Sequence, residues 1–279
     1  MDPVLLLKAA LIGVVEGITE FLPISSTAHI RLTQAATGFH DPGEMFAVVI
    51  QLGAILAVVV LFWRRLLDLA LGVMRRDPAQ LRFALGLGVA CIPPVVFGLL
   101  LNDWLETHVF GAHELLIIAL TMGIGGLIII LVERLRPPPR HADAATIPVM
   151  TCLGIGFMQV LAMIPGVSRS GASIIGGMCL GVDRKAATEF SFFLAIPIMA
   201  GGSLLKLRKH GHVLVEDPSM AAATAVGFIV SFVVALAAIR WLLRYVATNT
   251  FVPFAWYRIA LGLLIGGLIA AGVIGAGVE

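Results

Sequence analysis

The sequence predicts an all-α polytopic membrane protein with six transmembrane helices and two re-entrant broken-helix hairpins, arranged as an inverted-topology repeat. Three observations predict it. Of 279 residues, 59% are hydrophobic and only 13% charged, whereas a soluble domain carries about 25% charged residues. Six segments are long and apolar enough to span a bilayer. Two further apolar regions are each interrupted near the middle by proline.

The first broken region covers residues 3–35. Between Pro3 and Glu16 only a dozen residues run uninterrupted, about 18 Å of helix and too short for a span. Pro23 then breaks the region, so it reads as two half-helices meeting at membrane depth, where irregular backbone survives only under cover of protein or a polar cavity. Spans follow near 45–63, 83–101 and 115–132; the first, at 1.5 Å per residue, reaches about 28 Å and fits a core of about 30 Å. The second broken region, 147–182, is interrupted at Pro165-Gly166, and spans near 190–206, 221–241 and 254–275 complete the chain. The whole chain, 1–279, reads as one integral membrane domain whose repeat halves are approximately 1–140 and 141–279.

Composition excludes several functions. A formal net charge of +2, with no basic block interleaved with aromatics, argues against a nucleic-acid partner. Cys91, Cys152 and Cys179 match no zinc or disulfide spacing and read as small core hydrophobes. The N-terminal stretch has neither a basic n-region nor a small-residue cleavage site, and it reads as mature protein.

Charge asymmetry orients the chain. Arg64, Arg65, Arg75, Arg76 and Arg82 follow the first span, Arg134, Arg136 and Arg140 the third, and Arg240 and Arg244 the fifth. The connection after the second span carries Asp103, Glu106 and Glu114 without Lys or Arg. The positive-inside rule places the arginine-rich loops in the cytoplasm and the termini outside; Lys206, Arg208 and Lys209 run against the scheme. The two broken regions then enter from opposite faces. In sequence Pro23 aligns with Pro165, Ser26 with Ser168, and Glu44-Met-Phe with Glu189-Phe-Ser, as in an inverted repeat with a polar site at its midplane interface.

Ionisable groups at membrane depth are expensive and mark function. Glu16 and Glu20 share a helix face; two desolvated carboxylates so close repel, and a bound divalent cation, Mg2+ or Ca2+, relieves that. Ser25, Ser26 and Thr27 follow Pro23, where they can cap the next half-helix and aim its free N–H groups at an anion. His29 lies one turn after Ser26, close enough for imidazole and hydroxyl to meet. In the second break Arg169, between Ser168 and Ser170 and bracketed by Gly166 and Gly171, can grip phosphate bidentately. Gln51 and Gln159 read as interhelical hydrogen-bonding residues, and Glu44 and Glu189 as solvated span ends. Carboxylates in one half and an arginine in the other suit a phosphate with its cation.

These residues carry a resemblance. The uninterrupted strings EGITEFLPISSTAH and PGVSRSG resemble the undecaprenyl-diphosphate phosphatase family, also called bacitracin-resistance proteins, over nearly the whole chain. The resemblance implies a bacterial inner-membrane enzyme that converts undecaprenyl diphosphate to undecaprenyl phosphate, the lipid carrier for peptidoglycan precursors. Resistance would follow because bacitracin traps the diphosphate that the enzyme consumes. It implies dependence on a divalent cation and points to Glu16, Glu20, Ser26, His29 and Arg169, supported by Ser25, Thr27, Ser168 and Ser170. The partners expected are the polyprenyl diphosphate and membrane lipids, with room for a homodimer, and the active site is expected to face the periplasm.

The favoured scheme has Ser26 attack the terminal phosphorus with His29 as base and then acid. Attack by His29 itself and attack by metal-activated water are the alternatives. A transporter or flippase of a prenyl phosphate lipid is the rival from another class, since inverted repeats with broken helices are typical of secondary transporters.

Overall fold

The computed structural model describes residues 2–109, 111, 113–212 and 216–275. Among them are eleven α-helices: α1 (Pro3–Thr19), α2 (Ser26–Thr37), α3 (Met45–Leu61), α4 (Trp63–Met74), α5 (Pro78–His108), α6 (Glu114–Leu135), α7 (Val149–Val160), α8 (Arg169–Cys179), α9 (Arg184–His210), α10 (Pro218–Val246) and α11 (Val252–Ala270). Six are long and apolar enough to cross a membrane, namely α3, α5, α6, α9, α10 and α11. The chain is a multi-pass membrane protein.

Several spans begin earlier than hydropathy alone places them, because their caps lie in polar sequence. Asp77 accepts from the Ala79 N–H at 2.8 Å with Pro78 in the first turn. Asp217 does the same for Ser219 at 2.8 Å with Pro218 following, and Asp183 caps α9 through Lys185 at 3.0 Å. An aspartate–proline pair supplies both the acceptor for an orphan N–H and a φ already set for helix. At the far end α11 stops at Ala270, short of the predicted 275, where Gly272 turns with φ +68°. The short amphipathic α4 was not among the expected elements.

Both broken regions form helical hairpins. α1 runs beside α10 so closely that a Cβ on Gly17 would lie 2.7 Å from the Ser231 carbonyl oxygen, and one on Gly13 2.6 Å from that of Gly227. Small residues permit this backbone approach, the usual means of joining helices in lipid. The contact with Ser231, midway along α10, puts the α1 tip halfway down the bundle. α7 lies in the same way against α5, with Gly156 on the Ala90 backbone near the α5 midpoint. Pairing between the halves is reciprocal: the first hairpin packs on a helix of the second half and the second hairpin on a helix of the first.

Two sets of ion pairs mark the bundle ends. At one end Arg65 meets Asp143 at 3.1 Å, and Glu133 holds Arg184 at 2.7 Å and the Phe251 N–H at 2.7 Å. At the other end Arg31 pairs with Glu114 at 3.0 Å and with Glu44, which also binds Lys206. The α2 side chains thus return to the end that α1 started from, whereas Arg140 and Gly181 bring the second hairpin back to the opposite end. Lys206, which ran against the charge rule, is neutralised by Glu44. Glu44 is therefore a partly exposed span end, its side chain 37% exposed, that also joins an ion-pair network. Glu114, expected in an acidic loop, is 3% exposed and paired with Arg31. The side chains of Asp103 and Glu106 lie outside the described residues.

Candidate active site

The hairpin tips meet at the centre of the bundle. α1 ends at Thr19, the chain turns through Glu20–Ile24, and α2 starts after Ser25. In the second hairpin a 3-10 turn, Leu161–Met163, and the Pro165-Gly166 break precede α8. Ser25 (φ 69°, ψ 95°) and Ser168 (φ 76°, ψ 116°) are the N-caps of the two second half-helices, in nearly the same left-handed conformation. Their hydroxyls accept from Ala28 at 3.5 Å and Gly171 at 3.1 Å. Such strain in non-glycine residues costs on the order of 1–3 kcal/mol and persists at sites that need it. The equivalence of Ser25 with Ser168 shifts the expected alignment by one residue. Ser26 now corresponds to Arg169, each the first residue of its half-helix.

Both of those residues bind Glu20. Ser26 Oγ donates to Glu20 Oε2 at 2.5 Å. Arg169 Nη2 donates to Glu20 Oε1 at 3.3 Å and Nη1 to the Ser191 carbonyl at 3.1 Å, while its guanidinium sits 5.9 Å over the Phe21 ring. Arg169 does not snorkel: its side chain is 13% exposed, and Nε is buried without a partner. Beside this cluster lies a cavity of about 160 Å³ bounded by Glu20, Ser25, Ser26, Thr27, Ser168 and Arg169, with Gln51 on its wall.

The remaining predicted residues take other places. Glu16 is fully buried, and neither carboxylate oxygen has a partner. It faces a second cavity, of about 230 Å³, that shares Ser26, Thr27 and Gln51 with the first and extends toward Arg31, Glu44 and Lys206. Ser170 donates to the Leu22 carbonyl at 2.8 Å and ties one tip to the other. His29 does not meet Ser26. Its Nδ1 contacts the Ser25 carbonyl at 2.7 Å, which accepts only, so Nδ1 carries the proton and Nε2 accepts from the Tyr257 hydroxyl at 2.6 Å. The helical spacing that brings residues three apart together was outweighed by the carbonyl one turn back and by a ring stacked from α11, 5.6 Å away. Gln159 does not form the expected interhelical bond: it is buried with both amide atoms unpartnered.

Sequence reasoning missed Arg258. It is 1% exposed. Nη1 donates to the carbonyls of Pro23 at 3.2 Å and Val167 at 3.1 Å. Nη2 donates to those of Thr121 at 3.1 Å and Gly166 at 2.9 Å. One guanidinium therefore satisfies carbonyls that both breaks free. The signal was legible, since an arginine inside the last apolar span invites the same argument that singled out Glu16. Tyr257 precedes it and was missed with it.

The sequence profile of bacitracin resistance protein BacA matches residues 9–264. The chain belongs to the BacA family. It is 46% identical over 280 residues to the undecaprenyl-diphosphatase of Polaromonas sp., covering 98% of this chain and 99% of that protein. It is 47% identical over 267 residues to undecaprenyl-diphosphatase 2 of Rhodospirillum rubrum, covering 95% of each. With undecaprenyl-diphosphatase 1 of Agrobacterium fabrum it shares 44% over 270 residues, 97% and 98% of the two chains. In this BacA-family chain the two motifs are the two hairpin tips.

Replacing Arg258 by methionine leaves four carbonyls without their donor, and each buried unsatisfied group costs about 1–3 kcal/mol. Thermal unfolding of purified Arg258→Met in detergent should start well below that of the parent, and Arg258→Lys should recover part of the loss. An unchanged midpoint in Arg258→Met would show that the clamp holds nothing.

Proposed function

We propose that this protein hydrolyses undecaprenyl diphosphate to undecaprenyl phosphate and inorganic phosphate, the activity its BacA-family relatives are named for. One observation carries the reading: a serine and an arginine, heading half-helices from opposite hairpins, converge on one carboxylate beside a polar cavity. Arg169 and the free N–H groups at the α2 and α8 starts bind phosphate oxygens, where preorganised donors stabilise charge that grows in the transition state. The 3.3 Å Arg169–Glu20 contact is long, so substrate phosphate competes for the guanidinium at small cost.

Ser26 Oγ attacks the terminal phosphorus, and its proton passes to Glu20, to which it is already hydrogen-bonded. The bond from phosphorus to the bridging oxygen breaks and undecaprenyl phosphate leaves. Water then attacks the phosphoserine, releasing phosphate and restoring Ser26. Glu20 replaces His29 as the base in this scheme because both His29 nitrogens are engaged elsewhere.

The unpartnered carboxylate of Glu16 fits a hard divalent cation, Mg2+ or Ca2+. No group of three His, Cys, Asp or Glu gathers among the described residues. Glu16 would hold the ion together with Glu20 and with oxygens of Ser26, Thr27 and Gln51. When bound, the ion supplies neutralisation of phosphate charge.

We place the protein in the bacterial inner membrane, with the Arg65–Asp143 end in the cytoplasm and both hairpins re-entrant at membrane depth. The second cavity extends to Lys206 at the opposite end, which supports a site that faces the periplasm. The partners are the prenyl diphosphate and bilayer lipids. In a cysteine-free background, cysteine at His40 should label with an impermeant thiol reagent in intact cells and cysteine at Pro78 should not. The reverse pattern would invert the assigned sidedness.

Purified protein in detergent should release phosphate from a prenyl diphosphate with no gradient, and chelator should suppress it; a lipid transporter would release none. Glu20→Gln and Arg169→Ala should each lose roughly a hundred- to thousand-fold in kcat. Near-parental release by either variant would refute the site.

A further inference from the structure

At the Arg65–Asp143 end lies α4, a 12-residue helix separated from α3 only by Phe62. At 1.5 Å per residue it is about 18 Å long, too short to cross a bilayer. One side of it is used: Leu66 and Leu69 pack on the core, and Gly72 lies against Gln80 of α5. The other side is unpartnered. Trp63, Leu67, Leu71 and Met74 are 51%, 49%, 45% and 79% exposed. Their spacing of four, four and three residues forms a single stripe along the helix.

Cations flank that stripe. At the other end of the bundle Arg31 and Lys206 are held by Glu44 and Glu114, while Arg208 and Lys209 are exposed. Here Arg64, Arg75 and Arg76 are exposed and have no salt bridge among the described residues. Arg82 adds a further exposed cation at the start of α5. Asp77 is occupied as the cap of α5, and the one acid on α4, the exposed Asp68, leaves the flank with Arg64, Arg75 and Arg76 net positive. Because α4 continues directly from the end of a span, its height is fixed at the edge of the hydrocarbon. A tryptophan at that level prefers the interface, and Arg64 lies 5.5 Å over its ring.

We propose that α4 lies flat in the leaflet at this end and binds anionic phospholipid. Trp63, Leu67, Leu71 and Met74 enter the acyl boundary, and Arg64, Arg75 and Arg76 hold the headgroup phosphates. The arrangement has what an interfacial amphipathic helix requires, an apolar face with basic residues flanking it. The exposed cations choose the lipid: a zwitterionic headgroup offers its phosphate with a compensating ammonium, whereas an anionic one leaves net charge for the arginines. The proposal stands independently of the phosphatase reading.

The test uses the full chain with Trp63 as its sole tryptophan, Trp104, Trp241 and Trp256 being changed to phenylalanine. It is reconstituted in phosphatidylcholine vesicles containing a minor fraction of brominated phosphatidylglycerol or the same fraction of brominated phosphatidylcholine. The expected result is at least twofold stronger quenching of Trp63 by the anionic lipid. That preference should disappear in the R64Q/R75Q/R76Q variant. High salt should weaken it in the parent, a measurement that needs no further substitution. Equal quenching by the two lipids overturns the proposal, as does weak quenching by both, which would mean that protein covers the stripe. A preference that survives both the triple substitution and high salt overturns it as well.

Discussion

The site depends on one buried arginine. Breaking a helix at the centre of an apolar bundle frees carbonyls that lipid cannot satisfy, and each would be costly alone. Arg258 takes carbonyls from both breaks and from α6 with one guanidinium. Its charge is offset by four carbonyl dipoles and not by an acid, so Glu16 and Glu20 stay free of it. Ser170, bonded to the Leu22 carbonyl, is the second tie between the tips. Together they let two strained N-caps, Ser25 and Ser168, line one cavity at the start of their half-helices.

The chemistry follows from that meeting. Ser26 and Arg169 occupy equivalent first positions, yet one carries a hydroxyl and the other a cation. The two tips thus resemble each other in backbone and differ in side chain, giving an asymmetric site from matched tips. Glu20 belongs to neither second half-helix and is reached by both. Close packing supports the arrangement from behind: Gly13 and Gly17 seat α1 on α10, and Gly156 seats α7 on α5.

Much of the fold was legible in the sequence because hydropathy reports directly on lipid. The six spans, both breaks and the two polar motifs were all placed. Helix ends were less legible, since Asp77-Pro78 and Asp217-Pro218 start α5 and α10 in sequence that does not look apolar. Local spacing also misjudged partners. His29 is one turn from Ser26, but a carbonyl and Tyr257, distant in sequence, claim both its nitrogens. Glu44 reads only as solvated, whereas folding also brings Arg31 and Lys206 to it. Arg258 was passed over because it belongs to no motif string, though its cost in an apolar span is the same as that of Glu16.

The central claim is that Ser26 and Arg169, from opposite hairpins, act on one phosphate through one carboxylate. A double-mutant cycle on kcat/KM for phosphate release, with Ser26→Ala, Arg169→Lys and both together, tests it most directly. Residues sharing a network couple by about 0.5–3 kcal/mol, whereas independent sites add within about 0.3–0.5 kcal/mol. The double variant should lose clearly less than the sum of the single losses. Strict additivity would place the two residues in separate sites and contradict the account.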